Sequence, residues 1–101
     1  MHYNIVFTSQ ADRDLQQAID WYEIQRPFLG WEFREDIIIS IDKIINDRVD
    51  YQIYSGIVHK LKLTRFPYNI YYLKELREQQ ITILALFHFK RNPEEIKSFL
   101  G

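Results

Sequence analysis

One imidazole and four cations in the second half of the chain are of types that move protons and hold phosphates: His88, Arg91, Arg65, Lys60 and Lys62. Cleaving RNA through its 2′-hydroxyl needs a base for that proton, a cation for the charge on the phosphorane, and an acid for the departing 5′-oxygen. His88 is the well-placed group that titrates near neutrality. Arg65 and Arg91 are the other weak catalytic candidates, and Tyr68 and Tyr71, with Tyr72, offer rings on which bases stack. Taken instead as a docking surface for a target or partner protein, the set is Lys60, Lys62, Arg65, Tyr68, Tyr71, His88 and Arg91.

Each residue also has a plainer role. His88 ends an apolar strand, where a histidine is more often bonded to a turn. Arg91 can fix the entry to a terminal helix or pair with a carboxylate of the N-terminal half. Lys60 and Lys62 share one strand face and can be solvent-side residues that discourage edge pairing. The tyrosines suit a core or a sheet surface. His59 falls on the inward face with Leu61, as a core histidine would, and His2 is terminal. Three scattered histidines without ligand spacing make no metal site, and three isolated glycines make no phosphate loop, so neither metal nor cofactor is expected.

The elements that must position these groups can be traced from periodicity. Tyr3 to Phe7 reads as a short strand. Ser9 is placed to cap a helix whose apolar stripe is Ala11, Leu15, Ala18, Ile19 and Tyr22. Pro27 stops that helix. A second begins near Phe28-Leu29-Gly30 and runs to about Asp47, with Phe33, Ile37, Ile41, Ile44 and Ile45 on its stripe and Trp31 and Ile38 beside it. The tight connection predicts an antiparallel helical hairpin, with Asp12, Asp14, Asp20, Glu23, Glu32, Glu35, Asp36 and Asp42 on its outer faces. Trp21 and Trp31 flank the bend as packing or interface residues.

After Tyr51–Gly56 the period changes to two. Ile57 to Thr64, about 68 to 73, and Gln80 to His88 read as three strands, the last apolar on both sides and therefore interior. Asn92 as cap, Pro93 at the first position and Glu95 completing a capping box open a terminal helix, with Ile96, Phe99 and Leu100 as its anchor. The expected fold is α+β, in the order β-α-α-β-β-β-α: an antiparallel sheet packed against an N-terminal helical hairpin, with a short C-terminal helix.

Composition agrees. A length of 101 residues, 47% of them apolar with seven Phe and seven Tyr, provides for one domain spanning 1–101. The absence of cysteine excludes disulfides and thiolate metal sites and fits a reducing compartment. No signal-peptide pattern opens the chain, and its apolar runs, such as Ile37-Ile38-Ile39, are far too short to span a membrane. A soluble, cytoplasmic protein is expected. The net charge of −1 divides into −5 over residues 1–50 and +4 over residues 51–101. The basic half is the docking surface to expect for a polyanion or an acidic peptide.

Five segments, taken together, resemble ParE-like plasmid-stabilisation toxins of the RelE/ParE superfamily. They are Ala11-Asp12-Arg13-Asp14-Leu15, Ala18-Ile19-Asp20-Trp21-Tyr22, Pro27-Phe28-Leu29-Gly30, Arg65-Phe66-Pro67-Tyr68-Asn69-Ile70-Tyr71-Tyr72 and Leu86-Phe87-His88-Phe89-Lys90-Arg91-Asn92-Pro93. They stand in the family's order and span nearly the whole chain. Two departures are Phe89, where relatives often carry a small residue, and an overall charge that is slightly acidic where such toxins are commonly basic.

The resemblance implies the toxin of a type II toxin–antitoxin system, neutralised by a cognate antitoxin. ParE-type members act on DNA gyrase by binding; RelE-type members cut messenger RNA on the ribosome. The residues lean toward a protein-binding inhibitor rather than an enzyme. An mRNA endonuclease is the alternative, and a degenerate homologue that only binds its antitoxin or forms a homodimer is a third.

Overall fold

A computed structural model of the protein describes residues 3–46 and 52–98. The elements are β1 (Asn4–Phe7), α1 (Ser9–Gln25), α2 (Leu29–Ile45), β2 (Gln52–Ser55), β3 (Val58–Lys62), β4 (Tyr68–Glu75), β5 (Gln80–His88) and a terminal 3-10 helix (Pro93–Ser98). They build a five-stranded sheet in the order β1-β5-β4-β3-β2, with the α1–α2 hairpin across one face. The expected α+β arrangement is present, and β5 is interior, paired on both sides.

Two features of the sheet differ from expectation. The sheet is mixed rather than antiparallel, because β1 runs parallel to β5, with Asn4 opposite Gln80 and Phe7 opposite Ile83. Alternation identifies a strand but carries nothing about the direction of a partner so distant in the chain. A further strand, β2, also precedes the three expected, turning through Gly56 (φ 54°) and Ile57 into β3. Ile57, expected to open the β3 strand, is in that turn and 74% exposed.

Side chains from outside each helix fix its start. Thr8, not Ser9, caps α1: its Oγ1 accepts from the Ala11 N–H at 3.0 Å and donates to the Leu84 carbonyl at 2.8 Å. The start of α2 is capped from α1, where the Glu23 carboxylate accepts the N–H groups of Phe28 and Gly30 at 2.8 and 3.0 Å. Gly30 is where the helices touch: a Cβ there would lie 2.5 Å from the Ile19 carbonyl oxygen. The terminal capping box is only half made. Asn92 Oδ1 accepts from the Glu94 N–H at 3.0 Å, but the Glu95 carboxylate turns to Arg91, and the helix is 3-10 rather than α.

The core has two layers. Between hairpin and sheet lie Ala11, Ala18, Phe33, Ile37, Ile41, Ile44, Ile70, Tyr72, Ile81, Ile83 and Leu86. Phe33 packs edge-on against Phe66 and Tyr68 and stacks on Tyr22. Val58, Tyr71, Leu84, Ala85 and Phe87 cover the other face, closed by Ile96 of the terminal helix. Trp31 and Ile38, expected beside the α2 stripe, are exposed. Asp14 and Asp36, expected on the outer faces of the hairpin, are instead buried at 5% and 4% exposure. Asp47, Tyr51, Phe99, Leu100 and His2 lie outside the described residues.

Residue alternation is broken once in β5. Ala85 stands opposite Tyr71 but Ile83 stands opposite Tyr72, so Leu84 is an extra residue, a β-bulge. Before the bulge Ile81 and Ile83 face the hairpin; after it Leu86 does, and Phe87 faces away. The parity of every later residue is reversed.

Candidate functional site

The reversed parity sends His88 to the hairpin side of the sheet. There it lines a cleft of about 550 Å³ between α1 and the ends of β4 and β5, walled by Asp14, Gln17, Ala18, Trp21, Tyr22, Pro67, Tyr68, Leu86, His88 and Arg91. The walls are mainly aromatic and apolar, with polar groups at a few points, as in sites that bind an organic side chain. Tyr68 stands edge-on to His88, ring centroids 5.3 Å apart, and burial raises its phenol pKa.

Asp14 holds the cleft together. It projects from the buried side of α1, and its Oδ2 accepts the Leu86 N–H at 3.0 Å, just past the bulge. Its Oδ1 accepts from Gln10 at 2.7 Å and lies 3.6 Å from Arg91 Nη1. Desolvation outweighs these contacts and raises the carboxyl pKa. A signal was present in the sequence: Asp14 falls between Ala11 and Ala18 on the apolar stripe, where a charge is out of place unless paired.

Arg91 is a fixed cation. Its guanidinium lies 4.0 Å from the centre of the Phe87 ring and bonds Glu95 at 2.9 and 3.2 Å. The hydrogen bonds to Glu95 are the largest cause of its raised pKa. His88 is bonded to the turn that follows: its Nδ1 accepts the Lys90 N–H at 3.1 Å. With Nδ1 engaged by the backbone, Nε2 is the ring nitrogen left for another partner.

The other residues singled out in the sequence lie elsewhere. Lys60 and Lys62 project from the sheet face away from the hairpin, Lys60 in register with Tyr71 and Lys62 Nζ 5.3 Å from the Phe89 ring centre. Tyr71 is buried at 2% exposure in the core of that face, 5.3 Å from Tyr54 and 5.7 Å from Phe87 between ring centres. His59 packs edge-on against Tyr72, and burial, then the charge of Lys74, lowers its pKa.

Arg65 is tied to α2. Its backbone N–H donates to Asp36 at 3.2 Å, and its guanidinium shares the Glu32 carboxylate with Arg26, each 2.6 Å away. Of the seven residues proposed as a binding surface, therefore, Tyr68, His88 and Arg91 gather at the cleft. Gln17, Trp21, Tyr22, Pro67 and Leu86 join them there without having been singled out as site residues.

The Glu32 fork sets one pH response. Hydrogen bonds from Arg26, then Arg65, lower the Glu32 pKa below its ordinary 4.5. Its contribution is present above that value and is lost as pH falls through the lower folded pKa. In a carboxyl carbon NMR titration, Glu32 should have its midpoint below 4.5 in the native chain and move upward in Arg65→Ala. A midpoint at the ordinary value in both would remove the fork from solution.

The arrangement defines a class before a family: an α+β protein with an aromatic cleft between a helical hairpin and a bulged strand, and no cluster of metal-ligating side chains among the described residues. Among those residues no helix is long and apolar enough to cross a membrane. No protein-family model matches this sequence, and no curated protein matches it either.

Solved structures do match. A chain of the chromosomal ParDE TA system from P. aeruginosa superposes with a TM-score of 0.70 at 19% identity, over 85% of this chain and 95% of that one. The isolated E. coli RelE toxin superposes with a TM-score of 0.65 at 14% identity, over 97% of this chain and 96% of that one. The chain shares its fold with these two structures.

Proposed function

We propose that this chain, acting as one domain over residues 1–101 in the cytoplasm, is the toxin of a type II toxin–antitoxin pair. It inhibits an essential target by binding it, DNA gyrase before the ribosome, and is neutralised by a segment of a cognate antitoxin. The likeness to ParDE and RelE structures supports the pairing with an antitoxin. One observation carries the choice of binding over RNA cleavage: His88 and Arg91 meet at the cleft, but Lys60, Lys62 and Arg65 do not join them. His88 faces the cleft with Nδ1 already bonded, Arg91 is matched by Asp14 and Glu95, and Lys60 and Lys62 lie across the sheet. The cleft suits an apolar antitoxin side chain with a carboxylate near Arg91.

The test is growth after induction of the chain alone, against induction together with its neighbouring gene. Viable counts should fall by several orders of magnitude and recover with the neighbour. Plasmid supercoiling should be lost in the poisoned cells while messenger RNA stays intact. Transcripts cut in an induction-dependent pattern that His88→Ala or Lys60→Ala abolishes would establish the endonuclease instead. Unaffected growth with soluble expression would leave a non-toxic homologue.

A further inference from the structure

One end of the hairpin carries apolar side chains that are more than half exposed, Trp21 among them although it also edges the cleft. Trp21 and Ile24 on the last turns of α1, Phe28 in the connection, and Trp31 on the first turn of α2 are 56%, 81%, 72% and 56% exposed. Phe28 and Trp31, with Glu32, form a second hollow of about 480 Å³. At ~150–250 Å² per buried aromatic ring, the four residues offer roughly 400–500 Å² of apolar surface, as much as the largest patch on an ordinary monomer.

Phe28 adds a second and independent observation. Its φ is 69°, the left-handed region, which is strained for a bulky residue. Glycine or asparagine would adopt that conformation at lower cost, and Phe28 places no side-chain cap on α2. The fold gains nothing from a phenyl ring there that would offset the strain.

The charges around the patch identify what covers it. Glu32 is shared by Arg26 and Arg65, and Glu23 is spent on the N–H groups of Phe28 and Gly30. The surface is thus apolar and internally neutralised, so a strongly acidic or basic partner would gain nothing from it. A two-fold copy of the same surface meets it without opposing like charges. Two such patches would together bury about 800–1,000 Å², at the low end for a specific interface and right for a reversible pair.

We propose that the hairpin ends of two copies of this chain pack about a two-fold axis into a weak homodimer, with Phe28 and Trp31 at its centre.

Trp21 and Trp31 are the only two tryptophans in the chain, so the interface reports on itself. The full chain, diluted from high to low micromolar concentration, should show mass falling from dimer to monomer by sedimentation. Its tryptophan emission should shift to the red in step. Phe28→Gly should remain monomeric throughout, with red-shifted emission and a thermal midpoint equal to or above that of the native chain, because the substitution relieves strain. Native chain that is monomeric at every concentration overturns the proposal. So does emission that shifts to the blue only when an antitoxin or target protein is added, which would assign the patch to that partner. A dimer that survives both Phe28→Gly and Trp31→Ser would likewise place the interface elsewhere.

Discussion

Asp14→Ala should lower the thermal midpoint by about 10–20 °C, the shift expected when about 2–3 kcal/mol is lost from a domain of this size. The loss has a specific source. The Leu86 N–H, just past the bulge, donates to Asp14 Oδ2 in a buried setting, and the alanine methyl leaves it unsatisfied. A hydrogen bond to a charged acceptor is worth more than a neutral one, and an orphaned buried donor retains its full desolvation cost. Arg91 adds little, because its side chain is 37% exposed and keeps Glu95. Asp14→Asn, which still offers an oxygen to Leu86, should cost roughly half as much. Differential scanning calorimetry on the three proteins separates these values. A midpoint for Asp14→Ala within about 3 °C of the native chain, less than 1 kcal/mol on this scale, would show that another group serves Leu86.

Gly30→Ala should also destabilise, by about 2–3 kcal/mol, although helix propensity alone predicts a gain of nearly 1 kcal/mol. The added methyl would sit 2.5 Å from the Ile19 carbonyl oxygen, 3.0 Å from Glu23 Oε1 and 3.1 Å from Ile19 Cγ2. The first of these is backbone and cannot swing aside. Relief requires α1 and α2 to separate, which opens the Tyr22–Phe33–Phe66 cluster and pulls Glu23 from the Phe28 and Gly30 amides. Urea unfolding should show a lower midpoint with little change in slope. A variant more stable than the native chain would mean that the helices are not held this close in solution.

These two positions differ in how far the sequence disclosed them. Gly30 follows Pro27 in a connection short enough to demand a hairpin, so close packing nearby was foreseeable. Asp14 was counted with the solvent-facing carboxylates, although its place between Ala11 and Ala18 marked it as buried. The helical stripes were legible because period 3.6 repeats over 17 residues in each helix and averages out single exceptions. β2 was not, although β1 of the same length was: Gln52 and Ser55 leave only Ile53 and Tyr54 as strand formers between them. Thr8 replaced Ser9 as cap because its hydroxyl also reaches the Leu84 carbonyl, a partner 76 residues away.

Local pattern by itself determined the helical hairpin, the interior position of β5, the bend at Pro27 and the cap at Asn92, since each depends on neighbours within a few residues. It also supplied a resemblance whose expected fold is the one shared with the ParDE and RelE structures. Only the tertiary structure decided which candidate residues meet. The bulge at Leu84 turns His88 toward α1 and leaves Lys60 and Lys62 on the other side of the sheet. One inserted residue in a strand reverses the parity of all that follow, and what stabilises it here is Asp14, 72 residues earlier in the chain, accepting the Leu86 amide. Periodicity cannot carry a contact of that range, so the cleft became visible only when the sheet and the hairpin were assembled.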